Sequence, residues 1–272
     1  MIKQKETIKY LQIFLLVAVV FAFIFPFIWM ILASLKTQQQ ILNNESLLYF
    51  TPTFKNYADV FEQYSFLKFI FNSLAIAIGS TVFALILGLP AAYSIARYKQ
   101  EKLGLIILVA RIVPGITFLI PWFILFSKLH LVDSYTSMIL SHMLVGLPFI
   151  VWIMVSYFEN LPIELEESAR VDGCTIQEAF MRIVLPISGP GIITASIFSF
   201  VFSWNNFMFS LVLSGDKTKT LPIAVFSFLS YSEINWGGLM AAAVVITLPV
   251  LILALFAQKY IISGLTSGAV KG

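Results

Sequence analysis

The sequence predicts an all-α membrane protein with six transmembrane helices, and three observations carry that prediction. Charged residues make up 11% of the 272-residue chain and hydrophobic ones 59%, with phenylalanine alone occurring 26 times. A soluble globular domain carries about 25% charged residues, so a water-soluble fold is excluded at the outset. Six apolar runs are long enough to cross a bilayer, which takes about 20 such residues. The third observation is that lysine and arginine are unevenly shared between the segments joining those runs.

The runs lie near Leu11–Leu35, Phe69–Ala96, Leu105–Ser127, Thr136–Tyr157, Ile187–Leu213 and Leu239–Ile262. Lys3, Lys5 and Lys9 before the first run resemble the start of a secretory signal. The run is longer than a signal core of about 7–15 residues and lacks a small-residue cleavage site, so a retained helix is expected. With the N-terminus in the cytoplasm, that side collects Lys3, Lys5, Lys9, Arg97, Lys99, Lys102, Arg170, Arg182, Lys259 and Lys271. The opposite side holds Lys36, Lys55, Lys68, Lys128, Lys217 and Lys219, so both termini are expected inside. In the second run Ser80, Ala84, Gly88, Ala92 and Ala96 recur every four residues, a small-residue ridge that lets another backbone approach closely. Prolines at 26, 90, 114, 121, 148 and 249 fall within the apolar runs, where they bend helices.

One polar island, Asn160 to Pro190, interrupts this pattern. Pro162 suits a first helical turn, and Gly173 supplies the left-handed residue that closes a helix near Asp172. Thr175 with Glu178 three residues on is a capping box that starts a second short helix. Ile176, Ala179, Phe180, Ile183 and Val184 then share one apolar face, and Pro186 and Pro190 are expected to end that helix. Between two membrane-length runs there is no soluble core to receive such a face. It packs on the bilayer, on neighbouring spans or in a partner's groove.

Glu167-Ser168-Ala169, Asp172-Gly173, Phe180, Ile183, Leu185-Pro186 and Pro190-Gly191 resemble the EAA loop of ABC importer permeases, with Ser168 where the pattern has alanine. The resemblance implies that Glu167, Ser168, Ala169, Asp172, Gly173, Ile176, Phe180, Ile183 and Pro186 form a coupling helix docked on a cytoplasmic ATPase. Trp204-Asn205-Asn206-Phe207, Leu221-Pro222, Met240-Ala241-Ala242-Ala243, Leu248-Pro249, Gln258-Lys259-Tyr260 and the tail Gly264–Gly272 are similar to the carbohydrate-uptake branch, most closely its MalG-type permeases. That likeness implies a type I ABC importer permease in a bacterial plasma membrane. Its partners would be a second, MalF-like permease subunit, an ATPase dimer at the coupling helix and an extracytoplasmic solute-binding protein, with no nucleic acid. The segment Ser214–Gly238 is similar to the loop that, in MalG-type permeases, touches the binding protein. Three regions follow: 1–68 with the first span and outer loop, 69–262 with the permease domain, and 263–272 as a cytoplasmic tail.

The fifth run is the expected solute pathway. Ser196, Ser199, Ser203, Asn206 and Ser210 are spaced to share one helical face, with Trp204 and Asn205 beside it. Polar groups at membrane depth face the bundle interior or water. Alternatively each serine bonds the carbonyl four residues back and lines nothing. Amides, hydroxyls and an indole face suit a neutral, polyhydroxylated solute. Arg111 is the one formal charge deep in an expected span; it either serves a function or snorkels to the cytoplasmic edge or a partner's carboxylate. Asp133, Glu233, His130 and His142 are expected in loops or at span ends, and Cys174 as a small filler. No phosphate-cradling glycine loop, nucleophile elbow, zinc motif or carboxylate pair occurs, so no enzyme is expected. ATP and Mg would belong to the partner ATPase, with no cofactor in this chain. Two alternatives stay open: the same architecture for an amino acid, peptide or polyamine, and a non-transporting scaffold or sensor that holds an ATPase.

Overall fold

The computed structural model describes residues 2–43, 48–63, 65–229 and 234–266. Glu233 and the tail from Ser267 lie outside the described residues, as does the side chain of Arg111. The described chain is helical: α1 (Ile2–Ser34), α2 (Gln38–Leu42), α3 (Lys55–Gln63), α4 (Phe66–Arg97), α5 (Glu101–Ile112), α6 (Leu119–Lys128), α7 (Tyr135–Glu159), α8 (Glu164–Val171), α9 (Ile176–Ala179), α10 (Leu185–Ile187), α11 (Gly189–Trp204), α12 (Met208–Leu213), α13 (Leu221–Val225) and α14 (Trp236–Thr266). Four helices are long and apolar enough to span: Lys9–Ser34, Phe66–Arg97, Tyr135–Glu159 and Trp236–Gln258. A fifth candidate is the pair Ile176–Ile187 and Gly189–Trp204, bent by 77°.

Two of the six expected spans are interrupted. The run Leu105–Ser127 is cut after Ile112, where Val113 is extended (φ −65°, ψ 122°) and Pro114 caps a 3-10 turn over Gly115–Phe118. A residue before proline is pushed out of the helical region by the ring, and Val113 obeys that rule. The run Ile187–Leu213 is cut after Trp204, and the Asn206 carboxamide oxygen accepts from the Phe209 N–H at 3.0 Å to start α12. An asparagine side chain here replaces the continuing helical bond.

The chain divides into two compact units. The first comprises residues 1–66 and 224–248. Residues 9–29 of α1 are exposed along their length, an apolar surface fit for lipid or another subunit. The Asn56 amide donates to the carbonyls of Ser34 (2.7 Å) and Lys36 (2.8 Å), pinning the end of α1. Gln38 donates to the Ile234 carbonyl and accepts from the Trp236 N–H, which fixes the start of α14.

The second unit comprises residues 67–223 and 249–272. Its core joins α4, α7 and α11 through Ala84, Ala92, Tyr93, Ile150, Met154, Phe158 and Ala195, all buried. The small-residue ridge of α4 meets α7 at Gly88, where a Cβ would stand 3.1 Å from Ile150, and Gly79, beside the ridge, meets it where a Cβ would stand 2.8 Å from Ile139. Facing it across α7, Gly146 lets the Ser199 hydroxyl of α11 come within 2.5 Å of where its Cβ would be. Small residues here buy close backbone approach, the main source of helix association in lipid.

Candidate functional site

The island Asn160–Pro190 forms two short helices and a corner. α8 ends with Asp172 at its C-cap, and Gly173 follows at φ +96°, a conformation that side-chain-bearing residues rarely adopt. The capping box is formed in full: the Glu178 N–H donates to Thr175 Oγ1 (3.2 Å) and the Thr175 N–H to Glu178 Oε2 (2.9 Å). That backbone bond leads the causes that hold the exposed Glu178 carboxyl below its ordinary pKa, with Arg182 adding a weak pull. Pro162 stands before α8 rather than in its first turn, since the helix opens at Glu164. Pro186 does not end the second helix. A π-turn over Phe180–Val184 lies directly upstream of it, and α10 carries the chain through the proline before the corner at Ser188. Widening the turn relieves the clash a proline ring makes with the carbonyl four residues back.

The expected apolar face is divided. Ala179, Phe180 and Val184 are buried and Ile183 is half-buried, while Ile176 remains exposed. Glu167, Ser168, Asp172, Gly173 and Pro186 are exposed, and Ala169 is buried. Val171 is 88% exposed beside the corner, so an apolar knob stands in solvent next to the acidic Glu167 and Asp172.

What anchors the island is a cluster that sequence reasoning missed. Glu166, not its neighbour Glu167, turns inward and is 7% exposed. Its carboxylate accepts from the Tyr93 hydroxyl at 2.6 Å and from Arg97 Nε at 2.7 Å, with Arg97 Nη2 2.5 Å away. Arg97 also donates to the Leu161 carbonyl at 3.3 Å. The Tyr93 ring lies 4.7 Å from that of Phe180 and 6.0 Å from that of Phe158. The end of α4 therefore grips α8 through charge and the π-turn through aromatic contact. Beside it opens a hollow rimmed by Ile163, Glu167, Arg170 and Ile176. Helical spacing could have found Glu166: Glu166 and Ala169 are three apart and share a face, whereas Glu167 points elsewhere.

In the expected pathway segment, Ser199 and Ser203 are buried in helix contacts. Ser80 donates to Ser203 (3.0 Å), His142 Nδ1 lies 2.8 Å from the same hydroxyl, and Thr81 donates to Ser199 (3.4 Å). Trp204 is buried and stacks on Phe200 at 5.8 Å. Asn205 is exposed at the break between α11 and α12, and Asn206 is half-buried there. The polar residues do not keep one helical face, because Asn206 and Ser210 lie beyond the break. His142 is corrected from a span-end residue to one buried inside α7, its Nε2 without a hydrogen-bond partner among the described residues. Ser196 bonds the Ile192 carbonyl four residues back at 2.6 Å, the reading in which a serine lines nothing.

At the other end of the second unit, the chain leaving α12 is held rigidly. Asp133, itself left-handed at φ 58°, accepts from the N–H groups of Gly215 (2.8 Å), Lys217 (3.1 Å) and Thr218 (2.9 Å) and from the Thr218 hydroxyl (2.8 Å). Partial burial pushes its pKa up, but those four donors outweigh burial and hold it below the ordinary carboxylate value. Asn72 donates to the carbonyls of Lys217 (3.0 Å) and Lys219 (2.8 Å) and accepts from the Tyr135 hydroxyl (2.6 Å).

Residues 84–267 match the family model described as "Binding-protein-dependent transport system inner membrane component". The chain belongs to that family. Members of the binding-protein-dependent family similar to it include the arabinooligosaccharides transport system permease AraQ of Bacillus subtilis, 37% identical over 92% of this chain and 91% of that protein. The trehalose/maltose permease MalG of Thermococcus litoralis is 34% identical over 92% of both chains. The trehalose permease SugB of Mycobacterium tuberculosis is 34% identical over 91% of this chain and 92% of its own length. Among solved structures, a chain of a bacterial ABC transporter that imports the acidic polysaccharide alginate superposes with a TM-score of 0.82 at 20% identity, covering 94% of this chain and 97% of that one. That likeness is one of fold. The family match makes this chain a multi-pass inner-membrane transport component.

Proposed function

We propose that the chain is one of two homologous permease subunits of an ATP-driven importer for a sugar or oligosaccharide. The named substrates of its relatives, trehalose, maltose and arabinooligosaccharides, support the carbohydrate class. In this reading the chain has six spans, the first within residues 1–68 and the other five within the permease domain 69–262. The bent pair Ile176–Ile187 and Gly189–Trp204 supplies one span, and the interrupted α5–α6 segment supplies another. Both termini and the 263–272 tail lie in the cytoplasm, on the side richer in lysine and arginine. A separate ATPase dimer binds ATP and Mg there, and a solute-binding protein delivers sugar to the opposite face.

The observation that carries the reading is the coupling loop's division of labour. Glu167, Val171, Asp172 and Ile176 are exposed for a partner, while Glu166, Ala179 and Phe180 are fastened to the span behind them. Glu167, Ser168, Ala169, Asp172, Gly173, Ile176, Phe180, Ile183 and Pro186 thereby pass ATPase motion to the helices. Ser199, Ser203, Trp204, Asn205 and Asn206 lie along the path, with Asn205 the residue free to meet a solute hydroxyl in this conformation.

Reconstituting the chain with its partner permease, ATPase and binding protein, and offering labelled sugars, tests the assignment. One sugar should stimulate both ATP hydrolysis and uptake. Response only to amino acids or peptides would sink the carbohydrate class. Gly173→Pro should abolish uptake in membrane-inserted protein, because proline cannot adopt the φ of +96° found there. Full transport by that variant would remove the corner from the mechanism.

A further inference from the structure

Both fastenings just described sit on the same helix. α4 has 32 residues and so is about 48 Å long at 1.5 Å per residue. Near its start, Asn72 and Ser73 are buried, at 1% and 3% exposure. Asn72 spends its whole carboxamide on the loop after α12 and on Tyr135; Ser73 accepts from the Leu221 N–H at 2.8 Å, and Lys68 donates to the Asp216 carbonyl at 2.7 Å. Near its end, Tyr93 and Arg97 hold Glu166 and Phe180 of the coupling loop. α7 runs beside it and joins the same two places through the chain itself: Asp133 clamps the outer loop just before α7, and Asn160 opens the coupling loop just after it. The two helices are locked together by Gly79 on Ile139 and Gly88 on Ile150.

We propose that α4 and α7 form one connecting rod, with Asn72 and the Tyr93–Arg97–Glu166 cluster as its positioning joints, so that the shape of the loop 213–221 sets the stance of the coupling loop. This rests on the proposed function, in which the first loop meets the binding protein and the second meets the ATPase. The chemistry at each joint suits the task. A buried asparagine with both amide hydrogens and its oxygen used tolerates one loop geometry only. A buried carboxylate held by a guanidinium and a phenol likewise fixes direction as well as distance. α4 is continuous between the joints: Pro90 lies within it, and the helix runs on through to Arg97.

A rod makes a prediction that two separate local anchors do not. Cutting either joint should disconnect the loops, and cutting both should do no further harm. In the reconstituted complex, binding-protein-stimulated ATP hydrolysis is measured relative to each variant's own basal rate. Asn72→Leu and Arg97→Gln should each lower that stimulation about tenfold, the size of an ordinary coupling free energy, with the double variant no worse than either single. The swap Arg97→Glu with Glu166→Arg should restore part of it. Unchanged stimulation in the single variants, or losses that multiply in the double one, would overturn the rod. If Asn72→Leu does not assemble, Asn72→Ser with Tyr93→Phe gives the same cycle with smaller lesions.

A second readout needs no transported solute, so it separates failure of the rod from failure of the functional reading. Cys174 is the chain's single cysteine and lies in the coupling loop. With a second label at Lys99→Cys and cysteine-free partners, the spin–spin distance between the two should be narrow in the parent. Asn72→Leu, at the far end of α4, should broaden it. A distribution unchanged by Asn72→Leu would refute the rod even in a complex that carried no sugar.

Discussion

The coupling-loop joint and the seam between α4, α7 and α11 both hold helices together with polar groups, yet they use opposite chemistry. At the joint a full ion pair, Arg97 with Glu166, is largely buried, and the Tyr93 hydroxyl that bonds Glu166 belongs to a cluster of three aromatic rings. In the seam only neutral groups meet: Ser80, Thr81, Ser199 and Ser203, with His142 against Ser203. The difference follows the depth. A charge near the bilayer centre is expensive, while one at a span's end meets headgroups, water and partner protein. The joint can therefore be stiff and directional, and the seam can only be close-packed. A permease that must change conformation needs both, since α11 can slide past its weak hydroxyl contacts with α4 and α7 while force is carried through a charged clamp.

The sharpest way to break this contrast is to strand one charge. Glu166→Ala leaves the Arg97 guanidinium buried without its carboxylate and should cost about 3–5 kcal/mol in unfolding experiments on the membrane-embedded chain. Replacing the whole cluster, Arg97→Met and Glu166→Leu together with Tyr93→Phe, should recover most of that loss, because apolar groups of similar volume leave neither a buried charge nor the phenol unpaired. If the single variant were as stable as the parent, the pair would be a solvated contact and the joint would lose its stiffness.

Asp133 offers an intermediate case, a charge at the opposite end that is only partly buried. Asp133→Ala removes the acceptor for four donors and should cost about 1.5–3 kcal/mol, read as earlier unfolding and faster amide exchange at residues 215–218. Its pH behaviour has a definite sign. The folded pKa is depressed below the ordinary value of 3.8, so the clamp's stabilisation is complete above that value and is lost as pH falls through the lower, folded one. Between neutrality and pH 5 the amides of Gly215 and Thr218 should keep their protection. Loss of protection near neutrality would mean that another group holds the loop.

These two carboxylates also mark what the sequence reveals and what it hides. The capping box at Thr175 and Glu178, the left-handed Gly173 and the small-residue ridge of α4 are local patterns, and local patterns are legible because neighbours along the chain enforce them. The interruptions at Val113 and Asn206 were legible only in part: the proline rule predicts the first, but hydropathy averages over both breaks and reports continuous spans. Tyr93, Arg97 and Glu166 were not singled out. Their partnership joins residues about seventy positions apart, and in sequence Glu166 sits among three other carboxylates or near-neighbours of equal plausibility. Only burial separates Glu166 from Glu167. His142 was misplaced for the same reason, since nothing local says that an imidazole eight residues into a span will meet a serine from another helix.

The seam should yield the smallest effect and is the most telling about motion. Ser203→Ala deletes the hydroxyl shared by Ser80 and His142. Interhelical hydrogen bonds in a bilayer average about 0.6 kcal/mol, because the separated helices find other partners in the membrane. The loss should be of that order, far below the cost at Glu166. His142 raises the stakes, because its Nε2 has no partner among the described residues while Nδ1 rests on Ser203. Removing Ser203 leaves both ring nitrogens unpaired, so His142→Leu added to Ser203→Ala should recover the lost stability rather than compound it. A double variant less stable than Ser203→Ala alone would show the imidazole packing to be worth more than its polar cost. The seam would then be a fixed anchor like the joint at Glu166, and α11 would have to move in one block with α4 and α7.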